Sequence, residues 1–550
     1  MLFHASPWIV ALVLVYALGA CSTTDVEQVA STAQLEGGPS RDALIAETAH
    51  PAQSDVAETA SSVELAVNDG AMRAKDDRPL LSIDTKRIES LPDVLPDGAA
   101  VSYLIIDLQS GSSIAERGAD HLHIPASSAK LTTAVAALEL LGPNHRFSTE
   151  VRSTGPIEEG TVKGDLILKG GGDPLLDIPD LLPLIEQLKK RGLSRVDGRF
   201  LIDDRLLPRL SEIEPTQPTE AAYNPGLSAL SLAFNRVSLR WKKPAGLSVE
   251  TVPRLEEASF ESASRDHLPP GGVQLKQADD GNVVWQLADK GARLSKRSLP
   301  VKDAGLHAGI VFADLARLYG IDLPAPERLD HALESRPIAF RESKPLRELV
   351  RDMLWYSNNL MAELIGLSAA RTLSSNVVTL DQSADILLKS LETELSDVSW
   401  ENARLDNHSG LSSTARLTPE QLAAVLRRGW NTGMLSSLLP GSGWSGTLAR
   451  RFNEPDKAFR VWAKTGSINY VATLGGYLLS SSHSPAAFVI MISDETARAA
   501  YDAAPRRTRA GEKEAQAWHS DAEKAMDEIV ERWLTPALES PSTDLIANRT

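Results

Sequence analysis

Three short strings carry nucleophiles, bases and a cation in one order along the chain: Ser127-Ser128-Ala129-Lys130, Ser357-Asn358-Asn359 and Lys464-Thr465-Gly466. A serine hydroxyl is a weak nucleophile at neutral pH and needs a base. Lys130 stands three residues after Ser127, and at a helix start that spacing puts both side chains on one face. Buried near another cation, a lysine loses its proton more easily and can take the proton of Ser127. The helix N-terminus adds positive partial charge at the serine. Ser357 and Asn359 flank one residue, so on an extended segment they point the same way. Ser357 can then pass a proton to a leaving amine, and Asn359 can hold Lys130 or a substrate amide. Lys464 offers positive charge to a substrate carboxylate, and Thr465 offers that group a hydroxyl. Gly466, without Cβ, lets a substrate backbone approach a strand edge. The backbone N–H groups of Ser127 and Ser467 are the expected oxyanion hole. The chemistry is acyl transfer through a serine ester. Each string alone also has an ordinary reading, as a helix cap with a surface lysine, a polar cap, or a turn before a strand.

The elements that must position these strings can be read from periodicity. Residues 99–107 and 111–117 read as two strands joined by a Gln-Ser-Gly turn. From 128 to 141 the apolar residues Leu131, Ala134, Val135, Leu138 and Leu141 keep helical spacing, and Gly142-Pro143 ends the run. Between 147 and 325 short β-like runs dominate, separated by Gly, Pro and Asp clusters, with a helix expected over 182–192. Helical patterning returns at Ser343 and delivers Ser357 from a stripe of Leu346, Leu349, Val350 and Met353. The Lys464 string is expected to open a strand region, followed by an antiparallel pair over 471–479 and 485–493. A long helix over about 511–534 closes the domain.

At 550 residues the chain exceeds a single hydrophobic core, so two or three domains are expected. Its net charge of −16 argues against nucleic acid as a partner, because phosphate neutralisation needs a basic face. No Phe, Trp or Tyr occurs between Tyr16 and Tyr103, and residues 21–80 read as a disordered acidic linker. The one cysteine, Cys21, ends the string Leu18-Gly19-Ala20-Cys21 after an apolar run from Trp8 to Leu18. That run is too short to span a bilayer and fits a signal-peptide core. The string looks like a bacterial lipobox, which implies cleavage after residue 20, lipidation of Cys21 and export. Ser22 in the next position implies sorting to the outer membrane. The first basic residue is Arg41, so the segment before the apolar run has no Lys or Arg. With a single cysteine, no intramolecular disulfide can form.

The interval from Ser127 to Ser357 is far longer than a minimal domain of this kind needs, and other strings accompany it. Pro125-Ala126 precedes Ser127. Gly170-Gly171-Gly172-Asp173-Pro174, Ala229-Leu230-Ser231 with Phe234-Asn235, Ser409-Gly410-Leu411-Ser412 and Gly446-Thr447-Leu448 follow in order. Over about residues 83–535 the chain resembles peptidase family S13, the class C low-molecular-mass penicillin-binding proteins. The resemblance implies a mixed α/β (α+β) fold. An antiparallel sheet flanked by helices, with a helical region, forms a penicillin-recognising, transpeptidase-like domain over 81–146 and 326–538. Inserted β-rich domains occupy 147–325, and 539–550 is a frayed tail. The resemblance also implies Ser127, Lys130, Ser357 and Asn359 as catalytic residues and Lys464, Thr465, Gly466 and Ser467 as substrate-binding residues. Neither a cofactor nor a metal is expected. The implied activity is D-Ala-D-Ala carboxypeptidase or endopeptidase action on peptidoglycan stem peptides, in the periplasm, with β-lactams as covalent inhibitors and membrane contact through the lipid alone. Two departures stand out. The family's Asp-Gly before Ser409 is Asn407-His408 here, and Ser413 stands where a basic residue commonly follows.

Two alternatives remain at this point: a β-lactamase-like hydrolase of the same fold, and a non-catalytic peptidoglycan-binding lipoprotein. Other chemistries lack their motifs. Asp120, His121 and His123 read as plain surface rather than a metal site, and Gly170-Gly171-Gly172 lacks the Lys-Ser/Thr of a phosphate loop.

Overall fold

The computed structural model describes residues 90–534, apart from 244–246, 256–257, 270, 278–282, 291–293, 480–483 and 505–507. Expectations for the signal segment, Cys21, the linker and the tail fall outside these residues.

The organising element is a five-stranded antiparallel sheet in the order Val461–Ile468, Val471–Leu478, Ala486–Ser493, Ala100–Asp107, Ser113–Arg117. Strand Ala486–Ser493 is buried along its whole length because both faces of the sheet are covered. Successive side chains alternate between those faces. Ala487, Val489 and Met491 enter the helical core, with Leu104 and Ile106 of the neighbouring strand. Phe488, Ile490 and Ile492 pack on the other side, with Tyr103 and Ile105. There they meet Ala515, Trp518, Ala522, Ala525, Met526, Ile529 and Val530 of helix Arg509–Leu534, spaced three and four apart along one stripe. Each large side chain buried here stabilises the fold by about 1.5–3 kcal/mol. Trp533 adds edge-to-face contacts with Tyr103 and Phe488, at 5.7 and 5.9 Å between ring centres.

On the opposite face sits helix Lys130–Leu140, buried from Lys130 to Leu138. Around it pack helices Leu346–Tyr356, Asn359–Leu373, Leu380–Glu394 and Pro419–Asn431. The last two start from threonine caps. Thr379 accepts from the Gln382 N–H, and Thr418 exchanges hydrogen bonds with Gln421.

The inserted region has two parts. A mixed five-stranded sheet runs Pro326–Arg328, Phe200–Asp203, Leu166–Lys169, Ser148–Ser153, Arg336–Glu342. Helices Ile178–Lys190 and Ala304–Leu318 share its core. Nested within it, two three-stranded sheets close over Leu239, Trp241, Trp285 and Leu287. Strands Pro326–Arg328 and Arg336–Glu342 pair within the inserted sheet, so the chain returns to the helical region at about Ser343, not at the expected 326. The helix expected over 182–192 appears as Ile178–Lys190, and a second helix, Ala304–Leu318, was not expected. It is apolar on most faces because it is buried, which hides its period. The expected strand and helix at 99–107 and 128–141 appear as Ala100–Asp107 and Lys130–Leu140.

Candidate active site

Ser127 lies in a 3-10 turn, Ala126–Ala129, that runs straight into helix Lys130–Leu140. The chain enters the turn through Ala126 at φ 46°, a left-handed conformation that costs an alanine about 1–2 kcal/mol. The turn persists because it is wedged on both sides. Gly410, at φ 74°, comes so close that a Cβ there would lie 1.8 Å from the Ala126 carbonyl oxygen. A Cβ on Gly466 would lie 2.9 Å from both the Pro125 carbonyl oxygen and the Ser128 nitrogen, and 2.1 Å from Thr473 Oγ1. The expectation that Gly466 makes room for substrate therefore needs adjusting. It first makes room for the nucleophile turn itself. Ser127 remains partly exposed while Ser128 and Ala129 are buried.

One turn on, Lys130 is fully buried. Its Nζ donates to Ser127 Oγ at 2.9 Å, Asn359 Oδ1 at 2.9 Å and the Ser409 carbonyl at 2.8 Å. Burial pulls its ammonium down to about 7, and the charge of Glu363 acts the other way. An amine with that pKa is neutral in part at pH 7 and can accept the serine proton. Glu363 is itself fully buried, and burial pushes its carboxyl up to about 7. It accepts the His408 and Ser409 N–H groups at 2.8 and 3.0 Å, and so fixes the loop whose carbonyl holds Lys130. Sequence reasoning missed Glu363. The available signal was a lone acid in an apolar helix, one turn after Asn359.

Ser357 and Asn359 reach the site differently from the expected extended segment. Ser357 closes helix Leu346–Tyr356 in a left-handed conformation (φ 52°, ψ 35°), and Asn359 opens the next helix. Asn358 turns away and caps that helix by accepting the Met361 N–H at 3.0 Å. Asparagine can do this as well as the aspartate of the family string. Asn359 is held in register by its amide, which donates to the Tyr223 carbonyl at 3.1 Å while its oxygen faces Lys130.

Lys464 lies inside strand Val461–Ile468, not at the head of a strand. This is the edge strand of the main sheet. Its buried Nζ donates to Ser357 Oγ at 2.9 Å and to the Thr465 carbonyl. Burial, then the charge of Lys130, hold this ammonium well below its ordinary value. Thr465 Oγ1 donates to Thr447 Oγ1 at 3.0 Å, which joins the Gly446–Leu448 turn to the strand. Ser467, two residues on, contacts His519. The structure thus brings Ser127, Lys130, Asn359 and Ser409 into one hydrogen-bonded cluster and Ser357, Lys464 and Thr465 into another.

The Asn407-His408 departure has a structural answer, and that at Ser413 has none. Asn407 Oδ1 accepts the N–H groups of Gly410 and Leu411 at 2.9 and 3.0 Å, an acceptor role that aspartate would also fill. The His408 ring lies against Gly366 of helix Asn359–Leu373 and shares a 2.7 Å hydrogen bond with Ser383 Oγ. The reading of residues 120–123 as plain surface holds for His121 and not for His123. His123 is buried, with both ring nitrogens bonded to Ser493 and Ser102 at 2.9 and 2.8 Å, and burial pulls it down to about 4. Among the described residues, no group of three or more His, Cys, Asp or Glu side chains is arranged to hold a metal ion.

Known proteins share this organisation. The chain is 24% identical over 429 residues to the D-alanyl-D-alanine carboxypeptidase DacB of Haemophilus influenzae, covering 74% of this chain and 88% of that one. It is 27% identical over 433 residues to the D-alanyl-D-alanine carboxypeptidase of an Actinomadura species, covering 70% and 77%. Its fold matches the crystal structure of penicillin-binding protein 4 from Haemophilus influenzae with a TM-score of 0.66 at 22% identity, over 80% of this chain and 99% of that one. The family model of the D-Ala-D-Ala carboxypeptidase 3 (S13) family matches residues 85–510, a span that takes in the nucleophile turn, both inserted parts and the Lys464 strand. With most of its length inside that match, the chain belongs to the S13 family.

Proposed function

We propose that this chain is a serine DD-carboxypeptidase and endopeptidase of peptidoglycan that works outside the cytoplasm. The observation that carries the assignment of roles is the 2.9 Å contact between Ser127 Oγ and a buried Lys130 Nζ whose pKa lies near 7. Neutral Lys130 takes the proton of Ser127 as Oγ attacks the carbonyl carbon of the penultimate D-alanine. The backbone N–H groups of Ser127 and Ser467 receive the developing oxyanion. The C–N bond breaks, and a proton relayed from Lys130 through Ser357 goes to the departing amine. That amine is free D-alanine in the carboxypeptidase reaction and the crosslinking diaminopimelate amine in the endopeptidase reaction. Water then enters and gives a proton to Lys130 as its oxygen bonds to the acyl carbon. The bond from that carbon to Ser127 Oγ breaks, and Lys130 returns the proton to Oγ. Thr465 and Ser467 offer their hydroxyls to the substrate's carboxylate, and Lys464, on the other face of the strand beside Ser357, adds positive charge nearby.

A fluorescent penicillin acylates the same serine, because its strained amide presents the same carbonyl and its ester hydrolyses slowly. Incubation followed by peptide mapping should place a stable adduct on the tryptic peptide that contains Ser127. Rapid turnover of the drug without an adduct would indicate a β-lactamase-like hydrolase. Absence of both, in a folded protein that binds sacculi, would indicate a binding protein without chemistry.

The reading also includes a lipid anchor at Cys21, supported by the Leu18-Gly19-Ala20-Cys21 string behind an eleven-residue apolar run that starts at Trp8. Expressed in a Gram-negative host, the labelled protein should sediment with membranes and partition into detergent, and Cys21→Ser should move it to the soluble fraction. Unchanged sedimentation of Cys21→Ser would exclude the anchor.

A further inference from the structure

Thr465 and Ser467 are two apart on the edge strand Val461–Ile468, so their hydroxyls point to the same face, opposite to Lys464. The Thr465 hydroxyl faces Thr447. The Ser467 hydroxyl faces an imidazole that belongs to a different element: His519, on helix Arg509–Leu534, whose Nε2 lies 2.9 Å from Ser467 Oγ. His519 lies beyond residue 510, where the family match ends. Its side chain is only 15% exposed.

The surroundings favour a proton on this nitrogen. Glu523, one turn further along the same helix, places Oε1 3.6 Å from the same Nε2. Burial alone would raise the Glu523 carboxyl, yet the neighbouring His519 ring and the charge of Arg451 hold it below its ordinary value. Arg451, from the loop after Thr447, stands 3.7 Å from Glu523 and is also bound by Asp527. Lys464, on the same strand as Ser467, directs its ammonium to the other face, towards Ser357. Glu523 is thus the ionised group within reach of the ring, and a carboxylate beside Nε2 stabilises N–H there.

We infer that His519 is a positioning residue for the substrate's terminal carboxylate. Its Nε2–H donates to Ser467 Oγ and leaves the single Ser467 proton free to point at the carboxylate. A ring that accepted instead would consume that proton, and a side chain without a donor would let the hydroxyl turn away. His519 touches neither the substrate nor the reacting atoms. The inference rests on the reading that this strand receives the carboxylate.

The test uses two acyl-D-alanyl thioesters with the same acyl group. One has a leaving group that ends in a carboxylate, and the other has the corresponding primary amide. For the carboxylate thioester, His519→Ala should raise KM about tenfold, the lower end of what losing one hydrogen bond to a charged group does. kcat should stay within about twofold. KM and kcat for the amide thioester should not change. His519→Gln, whose side-chain N–H can still donate, should restore KM for the carboxylate thioester. In a Ser467→Ala background, His519→Ala should have no further effect on KM. Equal losses on both thioesters, or no rescue by glutamine in a protein of unchanged melting temperature, would overturn the proposal. If His519→Ala fails to fold, the glutamine variant carries the test, and a tenfold KM loss in it would also overturn the proposal. A parent enzyme that turns over neither thioester would remove the peptidase reading itself, which is a separate result.

Discussion

Lys130→Met is expected to lower the rate of Ser127 acylation by penicillin by about a thousandfold, within the range that loss of a general base produces, while leaving a folded protein. Methionine keeps the length and volume of the lysine stem and removes the amine. The three acceptors now bound by Nζ, Ser127 Oγ, Asn359 Oδ1 and the Ser409 carbonyl, lose their donor. Each loss costs about 1–3 kcal/mol where water cannot replace it. Against this, the fold no longer has to bury an amine whose charged form burial disfavours. The two effects oppose each other, so the melting temperature should move little while the chemistry collapses, with Ser127→Ala setting the floor. Acylation by Lys130→Met within about tenfold of the parent rate would show that another group is the base. The pH profile gives a second reading of the same residue. The neutral amine is the base, so kcat/KM should rise as pH rises through about 7, where Lys130 loses its proton. Ionised Glu363 favours the charged form of Lys130. Glu363→Gln removes that negative charge, makes the ammonium easier to deprotonate and should shift the acid limb to lower pH.

The parts of this site that the sequence made legible are side chains with characteristic neighbours. Ser127 and Lys130 could be read because three residues of helix relate them, and the apolar stripe behind them showed the helix. Lys464 could be read because the strands after it are long, continuous apolar runs. What escaped was supplied by backbone or by tertiary approach. The Ser409 and Tyr223 carbonyls that hold Lys130 and Asn359 are groups every residue carries, so no letter marks them. Ser357 ends a helix in a left-handed turn, and nothing in Ser-Asn-Asn distinguishes that from an extended segment except the capping tendency of Asn358. Gly466 reads as room for substrate until the nucleophile turn is seen against it. His519 sits in a helix dominated by charged residues, and only its approach to Ser467 singles it out. The return of helical patterning at Ser343 was legible, but that the strand at 336–342 belongs to the insert shows only in its pairing with 148–153.

The largest expected effect on stability comes from the departure at His408. Gly366 lies in the middle of helix Asn359–Leu373, where alanine would ordinarily stabilise by about 1 kcal/mol. Here a Cβ would lie 2.1, 2.3 and 2.5 Å from three atoms of the His408 ring. That ring is 2% exposed, held neutral by burial that pulls it down to about 3, and hydrogen-bonded to Ser383 at 2.7 Å. It has no open space to move into, so Gly366→Ala should destabilise the protein by about 2–4 kcal/mol, at or above the usual cost of overpacking. His408→Gly alone should cost a similar amount, from the cavity and from backbone freedom in the loop. Combined, the two substitutions relieve each other: the new methyl occupies space the ring vacates, and the loop regains the glycine of the family's Asp-Gly string. The double mutant should therefore be more stable than the sum of the single effects by at least about 2 kcal/mol, a coupling that denaturant unfolding can measure. Acylation should follow the same pattern. The loop that carries His408 also carries the Ser409 carbonyl, which holds Lys130 at 2.8 Å. A shifted ring would move that acceptor and slow Gly366→Ala, while the double mutant recovers. Strictly additive stabilities would mean that the loop yields to the methyl without strain. The glycine at 366 would then not be what lets this chain carry a histidine beside its active site.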